Sequence, residues 1–425
     1  MSAVRRISFS KLTQKQAAAA AARHEMLFAG RIGGARAVFA FCDLSGLDLS
    51  GRQLADADFT GAILEETNLA GAKLDSASFF GADLRRANLT GASLKRADMR
   101  GASLRGANLI GADLYEADLR EGSIAEKDRF GNIRVMQHDV GASELPEALM
   151  SSANLERAKM SGAMAIQADF TDAIMRNCRL MRANLRQAKL VGANLENADL
   201  TGCVLTGADL SGAILVGARM ANAELDGANL QGALMEAPSS ATMAALSESL
   251  HAHSRWAESE GRDGAPADIT GADLRELKSL AHRQLTALIA PGAMLYGLDL
   301  EGASLQGSNL AGADLRSAKL GGADLRGANL CGAKLANTDL RDARLGPLLI
   351  SDQRLLPARI EGAHARYADF RGADLCRARF TDCDLSYANL MGADLRDCEF
   401  GGALLSGAKL PPMFAEKITS ASVTG

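Results

Sequence analysis

The chain has 425 residues, a formal net charge of −4, 43 glycines and only 4% aromatic residues, one of them the single tryptophan. A globular core of that size would use more Phe, Tyr and Trp, so the interior is expected to be narrow and lined by small and medium side chains. Arg and Asp are interspersed along the chain, which argues against a nucleic-acid-binding stripe and against a continuous acidic face, and no apolar run approaches the roughly 18 residues of a membrane span.

At the N-terminus, Ser10 or Thr13 is expected to cap a helix, with Thr13 and Gln16 at capping-box spacing. The alanine run carries that helix to Phe28, and Gly30, Gly33 and Gly34 turn the chain away. Arg5 and Arg6 precede an apolar stretch, 17–22, too short and too weak for a secretory signal, so a cytoplasmic location is expected.

From Phe39 one five-residue phrase keeps returning: Ala-Asp-Phe-Thr-Gly at 57–61, Ala-Asn-Leu-Thr-Gly at 87–91, Ala-Asp-Leu-Ser-Gly at 208–212 and Ala-Asp-Leu-Arg-Gly at 323–327. Its centre is Leu, Phe or Met, with a small residue two before it, a polar one just before it and often Gly two after it. Centres run from Leu44 to Ile124, from Leu155 to Met235 and from Leu295 to Leu410. A period of five matches neither the strand nor the helix repeat. It suits a straight segment plus a corner, with the centre and the small residue inward and Gly at the corner, where a Cβ would crowd the next coil. About fifty such phrases in three frames resemble the pentapeptide-repeat family over about three quarters of the chain.

That resemblance implies an all-β solenoid, a right-handed quadrilateral β-helix with four pentapeptides per coil, so that residues 20 apart stack. Asp48, Asn68, Asn88 and Asn108 then share one side as a ladder of amides, Asn309 and Asn329 do the same later, and Leu349 breaks that run. The expected organisation is a helical cap at 1–36, a first array at 37–124, a loop or hairpin insertion at 125–149 and a second array at 150–236. A helical insertion or second cap at 237–292, a third array at 293–410 and a tail at 411–425 complete it. Within 237–292 one helix is expected over 241–260, and a second from Arg275 to Ile289 with Leu274, Leu277, Ala281, Leu285 and Leu288 on one face. Near 346–357, Ile350, Leu355 and Ile360 hold the frame, so strained coils are expected there. Phe414 is expected to fold over the last coil or to meet a second chain, giving a homodimer through the C-terminal end.

Cys42, Cys178, Cys203, Cys383 and Cys398 occupy the small inward slot and read as core, whereas Cys331 and Cys376 follow a centre and should be exposed. No Cys or His spacing fits a metal site; His251 and His253 are two apart on a helix, and His24 belongs to the cap. The many Asp residues are explained by the polar slot, so neither catalysis nor a cofactor is expected. What remains is surface. Arg85 and Arg105 stack on one side, Arg100 and Arg120 on another beside Phe80, and the insertion carries Phe130, Ile133, Val135 and Met136. These are the expected partner-binding residues of a non-enzymatic scaffold for an unidentified protein, loops on rigid frames being common carriers of function. The family resemblance implies one alternative, a DNA-mimicking regulator that binds the type II topoisomerase gyrase. Lys73, Lys95, Arg100 and Arg105 interrupt the acidic face it would need.

Overall fold

The computed structural model describes residues 9–122, 143–235, 239–277, 279–351, 354–412 and 414, together with the backbone of 125–127 and 133–135. It divides into two compact units, Met1–Glu236 and Ala237–Gly425. In both, the repeat becomes a parallel solenoid in which residue i pairs with residue i+20, as in Asp48 with Asn68, Asn68 with Asn88 and Asn309 with Asn329.

The backbone bonding explains the phrase. Taking the pentapeptide centred on Leu84, the amide of Ala82 closes the preceding corner on Phe79 O (2.9 Å) and that of Asp83 reaches back one coil to Ala62 O (2.9 Å). Leu84 and Arg86 donate forward to Ser103 O (2.7 Å) and Arg105 O (3.0 Å). The fifth amide, of Arg85, has no backbone partner in the lattice, and the Asp83 carboxylate accepts it at 3.2 Å. The same bond recurs from Ser45, Thr60, Thr90 and Arg326 to the Asp or Asn two residues before each. Asp and Asn fill the polar slot because their short side chains satisfy that remaining donor.

Centres and small residues fill the bore of each unit, buried from Leu44 to Leu215 in the first and from Ala267 to Leu390 in the second. Phe39, Phe59 and Phe79 stack through three coils at 5.0 and 4.8 Å. Many of the corner glycines need a different explanation from crowding. A Cβ at Gly51, Gly71 or Gly91 would meet nothing within 4 Å. The corner instead holds its residue at positive φ, 65° at Gly71 and 57–58° at Asp56 and Glu66. Glycine adopts that conformation without strain, and other residues tolerate it where the lattice enforces it.

Unit 1 opens with β1 (Ser10–Lys11) and α1 (Gln14–Phe28). Thr13 caps α1 in a complete capping box with Gln16, as its spacing predicts. β1 runs parallel to β2 (Cys42–Asp43). On the next side the Gln14 side-chain amide imitates a strand: it donates to Asp48 O (2.7 Å) and accepts from Asp48 N (2.8 Å). The free edge of the first coil is thereby paired, which removes a template for aggregation. α1 lays Ala17, Ala21 and His24 on the coil, and the buried His24 ring accepts Ala37 N (3.0 Å) and donates to Ala55 O (2.8 Å).

The coil passes across the first insertion without losing register. Asp98 pairs with Asp118, and Asp118 with Lys159, a spacing of 41 where 20 is the rule. The excess of 21 residues, 122–142, ends at Ser143, whose buried hydroxyl donates to Met99 O (2.9 Å). Within it, β3 (Ala125–Lys127) and β4 (Ile133–Val135) pair antiparallel. The insertion is shorter than the expected 125–149: Leu145 and Ala148 are buried and Glu144 and Leu149 stand in the parallel ladder.

Unit 2 opens with α2 (Ser240–Glu258), capped by Ser239. His253 is buried beneath it and its Nδ1 accepts Ala267 N at 3.0 Å, the same contact that His24 makes with Ala37. Among the described residues of 275–289 there is no helix. Asp268 pairs with Ile289 and Asp273 with Met294, and Leu274, Leu280, Leu285 and Ala290 are the buried centres of four successive coil sides. One extra residue between Leu274 and Leu280 slips the five-residue frame there. The slip gives the leucines a 3–4 spacing in sequence that mimics a helix face.

The segment near 350 is also not strained coil. β5 (Leu348–Ser351) and β6 (Arg354–Leu356) form an antiparallel hairpin, and Asn329 pairs with Arg359, a spacing of 30. Leu349 therefore leaves the stack, and Ile350 and Leu355 are exposed; only Ile360 is buried as a centre. Ten extra residues are two whole pentapeptides, so the frame continues as if nothing had been inserted. At the other end of the unit the Phe414 ring packs 5.1 Å from Phe400 of the last coil.

Candidate functional site

The outer surface is built from the slot before each centre and the residue after it. Where these are Asp and Arg, they lock together: in nine pentapeptides, at Arg85, Arg100, Arg120, Arg275, Arg316, Arg326, Arg341, Arg371 and Arg396, the guanidinium forks onto its own Asp. Nε lies 2.8–2.9 Å from Oδ1 and Nη2 2.5–2.7 Å from Oδ2. The strand places the two side chains on the same face, two residues apart, at the right reach for a bidentate pair. The fork pulls the Asp339 and Asp394 carboxyls below the usual range, Arg341 and Arg396 being their hydrogen-bond donors.

Arg85, Arg100 and Arg120 are thus committed to Asp83, Asp98 and Asp118. Arg100 also covers the Phe80 ring at 5.1 Å, as their stacking predicts. Arg105 follows Ser103 in place of Asp and comes within 3.9 Å of Glu144. Arg85 stacks with Arg105, and Arg100 with Arg120, one coil apart. Phe130 and Met136 lie outside the described residues, and for Ile133 and Val135 only the β4 backbone is described.

Two clefts flank the side of unit 1 whose centres are Met99, Leu119 and Met160. One, of about 620 Å³, is lined by Arg100, Arg120, Met181 and Arg182 at the corner where the insertion leaves the coil. The other, of about 720 Å³, is lined by Arg96, Arg100, Arg157, Lys159 and Arg179 with Asp98, Glu116 and Asp118. Its acids are already engaged: Asp98 by Arg100, Asp118 by Arg120 and, at 3.9 Å, by Lys159, and Glu116 by Arg157 at 3.6 Å. Arg157 additionally covers Tyr115 at 5.9 Å. Sequence reasoning missed this cleft because Lys159 stands on the coil after Asp118 only once the insertion is removed from the count.

The cysteines are core or near it. Cys178, Cys203 and Cys383 are buried, and burial raises their thiols, those of Cys203 and Cys383 to about 12. Cys331 and Cys376 are half-buried where exposure was expected, and Cys331 donates to Glu361 Oε2 at 2.9 Å. His251 faces away from His253, with Nε2 3.0 Å from Arg283 Nη2. Among the described residues no group of three or more His, Cys, Asp or Glu is placed to hold a metal ion, and no helix is long and apolar enough to cross a membrane.

A lattice of this kind defines a class by itself. The family model of pentapeptide repeats matches eight stretches, residues 53–91, 82–121, 145–177, 178–215, 203–236, 308–346, 358–397 and 377–410, and the chain belongs to that family. Among solved structures it is similar to the pentapeptide repeat protein Rfr23 from the cyanobacterium Cyanothece 51142, at 26% identity over 33% of this chain and 91% of that one, with a TM-score of 0.25. HetL, a pentapeptide repeat protein involved in heterocyst differentiation regulation from Nostoc sp. strain PCC 7120, is 22% identical over 91% and 92% of the two chains, with a TM-score of 0.15. QnrB1, a plasmid-mediated fluoroquinolone resistance protein, is 18% identical over 46% of this chain and 91% of its own, with a TM-score of 0.30. No curated protein matches the chain.

Proposed function

We propose that this protein is a non-enzymatic scaffold that presents a rigid lattice of side chains to a protein partner, with the excursion between Gly122 and Ser143 and the adjoining Arg100–Arg120 side as the contact. The observation that carries the reading is the use of the side chains. Inward positions are consumed by packing and the forked Asp–Arg pairs hold each other, so much of the described surface is fixed in advance of contact. The coil keeps its register across the insertion, and excursions from a rigid frame are common carriers of recognition. The cationic clefts beside it do not suit a mimic of DNA.

Affinity capture from the native cell with the full chain and with a variant lacking residues 122–142 tests the reading. That excision of 21 residues returns the spacing of Asp118 and Lys159 to 20 and leaves Ser143 in the slot of Gly122. A partner caught by the full chain and lost by the folded variant is the expected result. Equal capture by both would remove the insertion from the contact, and capture of gyrase subunits by both would favour the mimic.

A further inference from the structure

We infer that the 720 Å³ cleft of unit 1 is a docking groove for an extended acidic peptide segment, held by Arg96, Lys159 and Arg179. It lies across the Arg100 side from the insertion corner and stands without the insertion reading. Asp98, Asp118, Lys159 and Arg179 are consecutive rungs of one parallel ladder. The two acidic rungs are tied down by the forks of Arg100 and Arg120, and Glu116 is held by Arg157. Three cations are left over. Lys159 reaches only an aspartate already forked by another residue, Arg179 shares Asp199 of the next rung with Arg219, which lies 3.9 Å from it, and Arg96 has no carboxylate at ion-pairing distance among the described residues. The cleft therefore offers a surplus of positive charge on a fixed frame, with all three groups open to solvent.

Spacing selects the ligand. At about 4.8 Å per rung the Asp98 and Arg179 levels are roughly 14 Å apart, which an extended chain rising about 3.3 Å per residue crosses in four to five residues. Carboxylates at intervals along such a segment meet the surplus cations one by one, with forked geometry available at both arginines. A duplex brings roughly one charge per 1.7 Å, several times more over this span than the surplus cations can match.

The test uses the full chain and fluorescence anisotropy, with a short peptide of aspartate and glutamate, its asparagine and glutamine counterpart, and a single-stranded DNA oligonucleotide as probes. The acidic peptide should bind, weaken with added salt, and bind at least tenfold more weakly to the K159E/R179E variant. R96Q should weaken it several-fold. R186E/K189E makes the same change of net charge at exposed positions on other sides and should leave binding unchanged. K159Q/R179Q, checked by circular dichroism, repeats the loss without adding acids. No binding of the acidic peptide, equal loss in both charge-reversal variants, or tighter binding of the DNA would overturn the inference.

Discussion

Arg316 and Asp314 make the same fork as eight other pairs but do so out of solvent, their side chains being 3% and 8% exposed. The Tyr296 ring lies 5.5 Å from the Arg316 guanidinium. Geometry alone therefore does not decide what a fork contributes. An exposed pair such as Asp83 and Arg85 gains little, because water screens both charges, and its loss should cost below about 1 kcal/mol. A buried pair is different: water does not replace a carboxylate lost out of solvent, so removing it costs more than removing an exposed one, up to about 3–5 kcal/mol. Asp314→Ala should accordingly lower the urea midpoint of unit 2 far more than Asp83→Ala lowers that of unit 1. Equal small shifts would mean that water or a neighbouring residue replaces the carboxylate at Arg316. The fork was not legible as such in the sequence. Asp and Arg two residues apart around a leucine read as alternating surface charge, and Arg85, Arg100 and Arg120 read as a free basic strip until the strand geometry showed each arginine its own aspartate.

The two caps are one device used twice. A helix lies on the first coil, a buried histidine under it accepts the amide of the first inward alanine through Nδ1, and the glycine turn after the helix passes against the helix backbone. At Gly34 a Cβ would come 2.3 Å from Leu27 N, and at Gly264 2.1 Å from Ala252 O, so neither position admits another residue. An Nδ1 that accepts must be unprotonated, and burial pushes the His253 imidazole below its ordinary 6.5, partly offset by the carbonyls of Thr286 and Leu285. A depressed folded value means that the unfolded state binds the proton more tightly. The cap's contribution is then present above about pH 6.5 and is lost as pH falls through the folded value. The melting temperature of unit 2 should exceed that of the His253→Ala variant near neutrality, by an amount set by about 1–3 kcal/mol for the orphaned Ala267 amide. The gap should narrow as pH falls below about 6.5, and a gap that is flat or grows in acid would show that the imidazole does not act as the acceptor. Thr13, Gln16 and the glycine turns announced these elements in sequence, whereas the histidine contact joins residues 13 and 14 apart and has no local signature.

At the scale of the molecule, each unit has its own continuous apolar core, and each coil touches only the coils before and after it. Stability in such a stack is a sum of coil and nearest-neighbour terms, so what a coil tolerates is decided by whether it can still close on its neighbours. This explains what the sequence displayed and what it hid. The five-residue period was legible everywhere because every side obeys it. The hairpin of β5 and β6 was hidden because ten residues leave the period intact, and the coil at 267–290 was hidden because one extra residue breaks it while keeping the stack. Closure, and not the phrase, is therefore the physical constraint, and excision separates the two. Removing residues 347–356 returns the Asn329 to Arg359 spacing from 30 to 20, and unit 2 should keep its circular dichroism and melt within a few degrees of the native chain. The modest loss comes from Leu348 and Leu356, which pack over Gly327 and leave it bare. Removing 347–358 leaves 18 residues where a coil needs 20, so the sides after Leu345 cannot meet the coil below, and protease should cut at Arg359 and beyond. Comparable resistance in the two variants would mean that the corners stretch to absorb two missing residues, and that the lattice is set by its side-chain phrase more than by the length of its coil.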